Sequence, residues 1–276
     1  MSELVRVHGF AATRLRLRAI ARRHAYVMVR SPHRLFDVTL WPLVDVVLFG
    51  ALAAFVGDDG SGGGDGSVAA GYLLAGIVLW HVIYQSQIAM STGLLEETWT
   101  RNILNLMVTP IREIEYVAGV ALFGFVKLAL GVGVMVLGAL VFFSFDTWSL
   151  GFGLIPIAAV LLVVGWAVSL FVMGLVLRFG SGAEALAWGM MFLLLPLSGV
   201  FYPIDALPTV LQPIAELLPT THAFTALREL VDGDPLNWTE VGIAALGAGV
   251  MLGLGFAFVV RMLKVFRRRG YITRYS

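Results

Sequence analysis

The chain has 276 residues, of which 59% are hydrophobic and 13% charged, with 31 glycines besides. Soluble domains run about 45–50% apolar and about 25% charged, so a water-soluble globule is excluded, and six membrane helices of about 20 residues with short connections account for the length. A net charge of +1 gives no footprint for nucleic acid, and the lack of cysteine removes disulfides, thiol catalysis and cysteine-based metal sites together.

Residues 1–34 hold Arg6, Arg14, Arg16, Arg18, Arg22, Arg23, Arg30 and Arg34 and no long apolar run. A cleavable signal peptide would pass at once from a short basic start into an apolar core, so this segment is not one. At helical spacing Phe10, Leu17, Ile20, Val27 and Met28 form one apolar stripe with arginines on both flanks. That pattern predicts an amphipathic cytoplasmic helix lying in the headgroup plane, in contact with membrane lipid, rather than a solvated basic tail.

Apolar stretches long enough to cross a ~30 Å hydrocarbon layer follow at 35–56, 68–91, 114–143, 152–177, 184–202 and 240–264, and a basic tail closes the chain at 265–276. The acidic, glycine-rich run at 57–67 and the polar turn at 146–151 belong outside the membrane interior. When the N-terminus, the 92–115 connection, the 178–184 turn and the tail share one side, that side holds 17 of the 19 basic residues. The opposite loops hold ten acids and one base, Arg228. The positive-inside rule then places both termini in the cytoplasm and requires an even number of spans; the expected location is the plasma (inner) membrane, as a multi-pass protein. The expected fold is an all-α membrane protein with six transmembrane helices over 35–264.

Two connections are patterned beyond linkers. Between the second and third spans, Leu95, Trp99, Ile103, Leu106 and Met107 recur at helical spacing, with Glu97 and Arg101 as an i,i+4 pair on another face. Pro110 ends this helix, which also carries Glu96, Asn102 and Asn105. Such an element either lies along the membrane or docks in a partner's groove. After the fifth span, Pro196, Pro203, Pro208, Pro213 and Pro219 break an apolar stretch into pieces too short to span. These read as re-entrant or surface-lying outer helices held against protein. On the helix that follows, His222 reads as a hydrogen-bonded structural histidine rather than a ligand, and Arg228 lies six residues further on.

Asp45 and Lys127 fall well inside spans, at a cost of roughly 2.5–3.5 kcal/mol each if unpaired. Counted from the cytoplasmic ends of their spans they lie at similar depth. That equality allows a pair or a shared polar cavity, within one subunit or across a dimer; the alternative reading is that Lys127 snorkels and Asp45 bonds a neighbouring backbone. No G-x-x-x-x-G-K-[ST] motif occurs, and no H-E-x-x-H, no G-x-S-x-G and no histidine–carboxylate cluster. No catalytic or metal-binding residue is therefore expected, and any ATP hydrolysis belongs to another chain.

The order of an N-terminal interfacial helix, six spans, a patterned cytoplasmic helix and a proline-broken outer segment resembles the permease subunits of ABC-2 type (type V) ABC exporters. The stretches EETWTRNILNLMVTPIREIEYVAG, SGVFYPIDALP and LPTTHAFTALREL carry the likeness most closely. The resemblance implies a homodimeric transport pathway driven by two copies of an ATP-binding-cassette ATPase, with ATP and Mg on that partner and no cofactor in this chain. It implies that Glu96, Glu97, Trp99, Arg101, Asn102, Leu106 and Pro110 form the coupling helix in a cleft of the ATPase. It also implies an outer gate involving Gly199, Tyr202, Pro203, Pro219, His222 and Arg228. The expected cargo is amphiphilic or hydrophobic, with a polysaccharide or glycolipid as the second choice. An ion-coupled secondary transporter would need intramembrane carboxylates and a repeated broken span. Asp45 is the one strong carboxylate candidate, and the broken element occurs once.

Overall fold

The computed structural model describes residues 10–58, 65–99, 113–179, 182 and 184–269, and every regular element among them is a helix. In chain order these are α1 (Phe10–Val29), α2 (Pro32–Asp58), α3 (Asp65–Trp99), α4 (Glu113–Phe143), a 3-10 turn (Thr147–Gly153) and α5 (Leu154–Phe179). There follow α6 (Glu184–Leu197), a second 3-10 turn (Ile204–Ala206), α7 (Gln212–Glu216), α8 (Pro219–Val231) and α9 (Trp238–Arg269).

Among the described residues five helices are long and apolar enough to cross a membrane, with apolar windows at Val38–Phe55, Ala69–Gly93, Ala118–Phe143, Thr147–Phe179 and Trp238–Val265. The single span expected at 184–202 is instead a 14-residue helix that ends at Leu197. Its length of about 21 Å falls short of the hydrocarbon layer. Proline removes the donor that would continue the helix at Pro196, and three residues later Gly199 takes a left-handed φ of 62°, so the chain turns away at this point.

α3 is apolar on all faces and carries no lysine or arginine from Asp65 to Trp99, which is the composition of a helix surrounded by protein. Accordingly 89% of its apolar window is buried inside the chain, against 28% for α2 and 22% for α9. α2, α4, α5, α6 and α8 all pack against it. The closest of these contacts is the one with α5. A Cβ on Gly165 would overlap the Ser86 hydroxyl and lie 2.6 Å from the Ile83 carbonyl.

The neighbours of several residues fix how the helices run. Val38 lies by Gly131, Leu43 and Val46 by Gly138, and Gly50 by Phe143, so α2 advances in step with the second half of α4. α1 advances in step with the first half. Thr13 and Arg16 meet Glu115, Ile20 lies against Gly119, and the His24 ring stacks on Phe123 with centroids 5.8 Å apart. The stripe residues Ile20 and Met28 are buried, and Ile20 turns its apolar surface onto α4. Leu15, Tyr26 and Val29 are exposed among the arginines.

α3 runs opposite to α4, with His81 by Gly131 and Gly93 by Val120. α5 and α9 run with α3. The bundle therefore has an α1 end, near Glu115 and Gly93, and an α8 end, near Tyr72 and Phe143.

Substituting Gly165→Ala forces α3 and α5 apart against a backbone carbonyl and is expected to destabilise the fold by about 1–3 kcal/mol. Gly242→Ala, inside α9 where a new Cβ meets nothing within 4 Å, is expected to be neutral or to stabilise by up to about 1 kcal/mol. Thermal unfolding of the detergent-solubilised proteins checks the difference. Equal midpoints for the two variants would show that the α3–α5 approach is not tight.

Candidate functional site

At the α8 end the broken segment is held by one guanidinium. α8 is amphipathic: Ala223, Phe224, Ala226 and Leu227 are buried in the core, which turns the half-buried Arg228 toward the chain leaving α6. Arg228 Nη2 donates to the carbonyls of Gly199 and Tyr202, both at 3.0 Å, and to the Tyr72 hydroxyl at 2.8 Å. Tyr72, on α3, donates in turn to the Gly199 carbonyl at 2.6 Å, and the guanidinium carbon lies 4.8 Å from the Tyr72 ring centroid. The carbonyls of Gly199 and Tyr202, in the non-helical chain beyond α6, are thus met by a charged donor, roughly twice as strong as a neutral one. A Cβ on Gly199 would also sit 3.2 Å from the Tyr202 carbonyl, so the left-handed backbone and the crowding both demand glycine there.

The remaining bonds of this region tie α6, α7, α8 and α9 together. Tyr202 donates to the Pro196 carbonyl at 2.7 Å, next to the lost helix donor. Ser198 Oγ lies 2.7 Å from Thr220 Oγ1, and the Thr221 hydroxyl donates to the Ala215 carbonyl at 2.6 Å. The His222 ring bridges the Glu216 carbonyl of α7 at 2.9 Å and the Glu240 carboxylate of α9 at 2.7 Å. Pro219 opens α8 and would lie 3.1 Å from a Cβ on Gly247. Of the residues expected at an outer gate, Gly199, Tyr202 and Arg228 converge on one knot and Pro219 and His222 on its flank. Pro203 caps the following 3-10 turn without contributing a side-chain bond.

At the α1 end, Glu115 is 4% exposed. It accepts from Arg16 Nη1 at 3.1 Å on both carboxylate oxygens and from Thr13 at 2.9 Å. The Tyr116 hydroxyl donates to the Gly93 carbonyl at 3.3 Å. The roots of the connection between α3 and α4 are therefore fastened to each other and to α1. Of the expected coupling residues, Glu96, Glu97 and Trp99 continue α3 as helix, their side chains lying outside the described set. Arg101, Asn102, Leu106 and Pro110 lie outside the described residues altogether.

Asp45 and Lys127 do not sit at one height. Asp45 lies between Leu43 and Val46, the neighbours of Gly138, whereas Lys127 precedes Gly138 by eleven residues, or about 16 Å along α4. No hydrogen bond or ion pair joins the two among the described residues, and Lys127 Nζ lies 5.5 Å from the Phe123 ring centroid. The equal depth expected from sequence fails because α4 extends further than α2 toward the α1 end, with α1 occupying the space beside the extension.

Sequence reasoning missed Tyr72, Thr13, Arg16 and Glu115. Tyr72 is one aromatic in an apolar run, and nothing local marks its hydroxyl as buried. A polar row along α3 was missed as well: Gln87 Nε2 donates to Ser91 Oγ at 3.1 Å, and Ser91 meets Ser169 of α5 at 3.0 Å.

Loss of the guanidinium in Arg228→Ala is expected to cost about 2–4 kcal/mol, because two carbonyls lose a charged donor, whereas Tyr72→Phe costs about 1 kcal/mol. Hydrogen exchange at the bonded amides of Ser198, Ala206 and Leu207 reads the difference directly. Equal exchange in the two variants would show that Arg228 does not organise the knot.

A family model described as ABC-2 family transporter protein matches residues 59–263, a stretch that includes both the α3–α4 connection and the Arg228 knot. No curated protein matches the chain.

Proposed function

The chain belongs to the ABC-2 transporter family, and from that premise we propose that it is the permease subunit of an ATP-driven exporter powered by a separate ATP-binding-cassette ATPase. The observation that carries this reading is the family match over 59–263 in a chain that contains no phosphate-cradling loop of its own. Transport by such a permease requires an engine, which this reading assigns to a separate ATPase chain. Two copies of the permease form the pathway, and two ATPase subunits dock against the side that carries the basic residues.

Within this reading both termini are cytoplasmic in a plasma membrane, α6 and the turn after it complete a sixth crossing, and residues 96–110 are the coupling helix. Trp99 and Leu106 anchor that helix in the ATPase cleft, Glu97 and Arg101 orient it, and Glu96, Asn102 and Pro110 complete it. The clamped root of the connection favours this role. Glu115, Arg16, Thr13, Tyr116 and Gly93 join α1, α3 and α4, so a push on residues 96–110 reaches three helices as one body. At the other end the Arg228 knot, with Gly199, Tyr202, Pro203, Pro219 and His222 in or beside it, closes the outer mouth. The cargo is amphiphilic or hydrophobic, as suits a chain whose described spans present mainly apolar side chains.

Co-purification with the ATPase and its stimulated hydrolysis test the reading. Trp99→Ala and Arg101→Glu are each expected to lower association or coupled ATP turnover about tenfold or more, by removal of an interface anchor worth roughly 2 kcal/mol. Full association and stimulation in both variants would refute the docking assignment.

A further inference from the structure

A groove of about 740 Å³ runs between α4, α5 and α9, with Met90 of α3 at its base. Its walls are Leu122 and Phe125 of α4, Trp166 and Leu170 of α5, and Leu252 and Phe256 of α9. On α9 its floor is Gly249 and Gly253, where an added Cβ would meet nothing within 4 Å. The only polar side-chain atom on the lining is the Trp166 indole nitrogen. α4 and α9 face one another across this space with almost no direct packing. Leu122 and Phe125 on one rim, and Val250 and Leu254 beside the other, are among the exposed apolar residues. The gap lies within three membrane windows, so what fills it comes from the bilayer or from another membrane chain.

Charge narrows the choice. Arg178 of α5 and Lys264 of α9 each stand eight residues beyond the groove, about 12 Å nearer the α1 end, and both are exposed. α5 has no acidic residue, and the one on α9, Glu240, is at the opposite end. α4 carries two acids in its first turn, Glu113 and Glu115, and Glu184 opens α6. Of these Glu115 is occupied by Arg16, and no ion pair joins Arg178 or Lys264 to an acid among the described residues. An apolar slot with two cations one headgroup's distance below it, neither in an ion pair among the described residues, matches a molecule with an acyl chain above and an anion below.

We propose that this groove is a binding site for one acyl chain of an anionic phospholipid from the leaflet at the α1 end, its phosphate held by Arg178 and Lys264. The chain fills the space between α4 and α9 and supplies the contacts those helices do not make with each other. Which leaflet this is rests on the permease topology proposed above; the site itself does not.

The test uses the full-length protein in phosphatidylcholine vesicles doped with phosphatidylglycerol or phosphatidylcholine bearing brominated chains, which quench tryptophan on contact. The Trp166 signal is the emission lost in Trp166→Phe. It is expected to be quenched at about fivefold lower mole fraction of the brominated phosphatidylglycerol, a preference on the order of one surface cation's attraction. Lys264→Gln should narrow that preference, and Gly253→Leu, which fills the floor, should abolish it.

Equal quenching by both lipids, unchanged in Gly253→Leu, would mean bulk bilayer contact only and overturn the proposal. So would an unquenched Trp166 together with disulfide cross-linking of two copies through Gly253→Cys, which would put a second protomer in the groove. Should Trp166→Phe not fold, native mass spectrometry decides: phosphatidylglycerol retained by the parent and lost from Gly253→Leu supports the site, and equal retention overturns it. No ATPase is present in any arm, so these outcomes stand apart from the transport reading.

Discussion

The fold depends on satisfying a backbone that breaks where water is scarce. A helix that stops within or near a bilayer leaves carbonyls with no solvent to take them up, at several kcal/mol each. α6 stops at Leu197, and Arg228 supplies the missing donors to Gly199 and Tyr202. An arginine is suited to this because a single guanidinium nitrogen, Nη2, stays charged while it serves Gly199, Tyr202 and Tyr72, and a guanidinium is more weakly hydrated than an ammonium. The Tyr72 ring lies over the same guanidinium and its hydroxyl completes the set, so the charge is covered by protein on the α3 side.

Because Tyr72 belongs to α3, the knot is attached to the most buried helix of the bundle. The same helix reaches Gly93 at the other end, twenty-one residues or about 31 Å away, where Tyr116 and Val120 close on it. α3 therefore links the α1 end to the α8 end without a break. Its close approach to α5 at Gly165 leaves no room for the two helices to slide past each other, since the obstacle is the Ile83 carbonyl rather than a movable side chain. Interiors packed this closely move as bodies.

Much of this was legible in the sequence, and the failures have a common cause. Five of the expected spans correspond to long apolar helices because length and composition alone decide them, and the proline series marked where the chain would break. The extent of α6 was not legible: residues 184–202 are apolar enough to span, and the decision lies in Pro196 and the left-handed Gly199. Relative height was not legible either. Counting from the helix starts puts Asp45 and Lys127 level, whereas the true register comes from contacts such as Leu43 and Val46 on Gly138. Those contacts are long-range and leave no periodic trace. Arg228 stood out as the one base among acidic loops, but its partners are a tyrosine and two carbonyls, which no charge pattern reveals.

Where movement is allowed follows from where packing is thin. α3, α5, α8 and α9 share extensive surfaces, and α1, α2 and α4 advance in register beside one another, while α4 and α9 leave a gap between them. The chain thus divides into two packed groups with α3 common to both. The end of α3 at Gly93 is tied to α4 by Tyr116, and α4 to α1 by the Glu115 clamp. The second group shares α3 but not the clamp. Displacement of α4 relative to α9 is accordingly the soft direction, and the knot at Arg228, fixed to α3 and α8, is carried with the stiffer group.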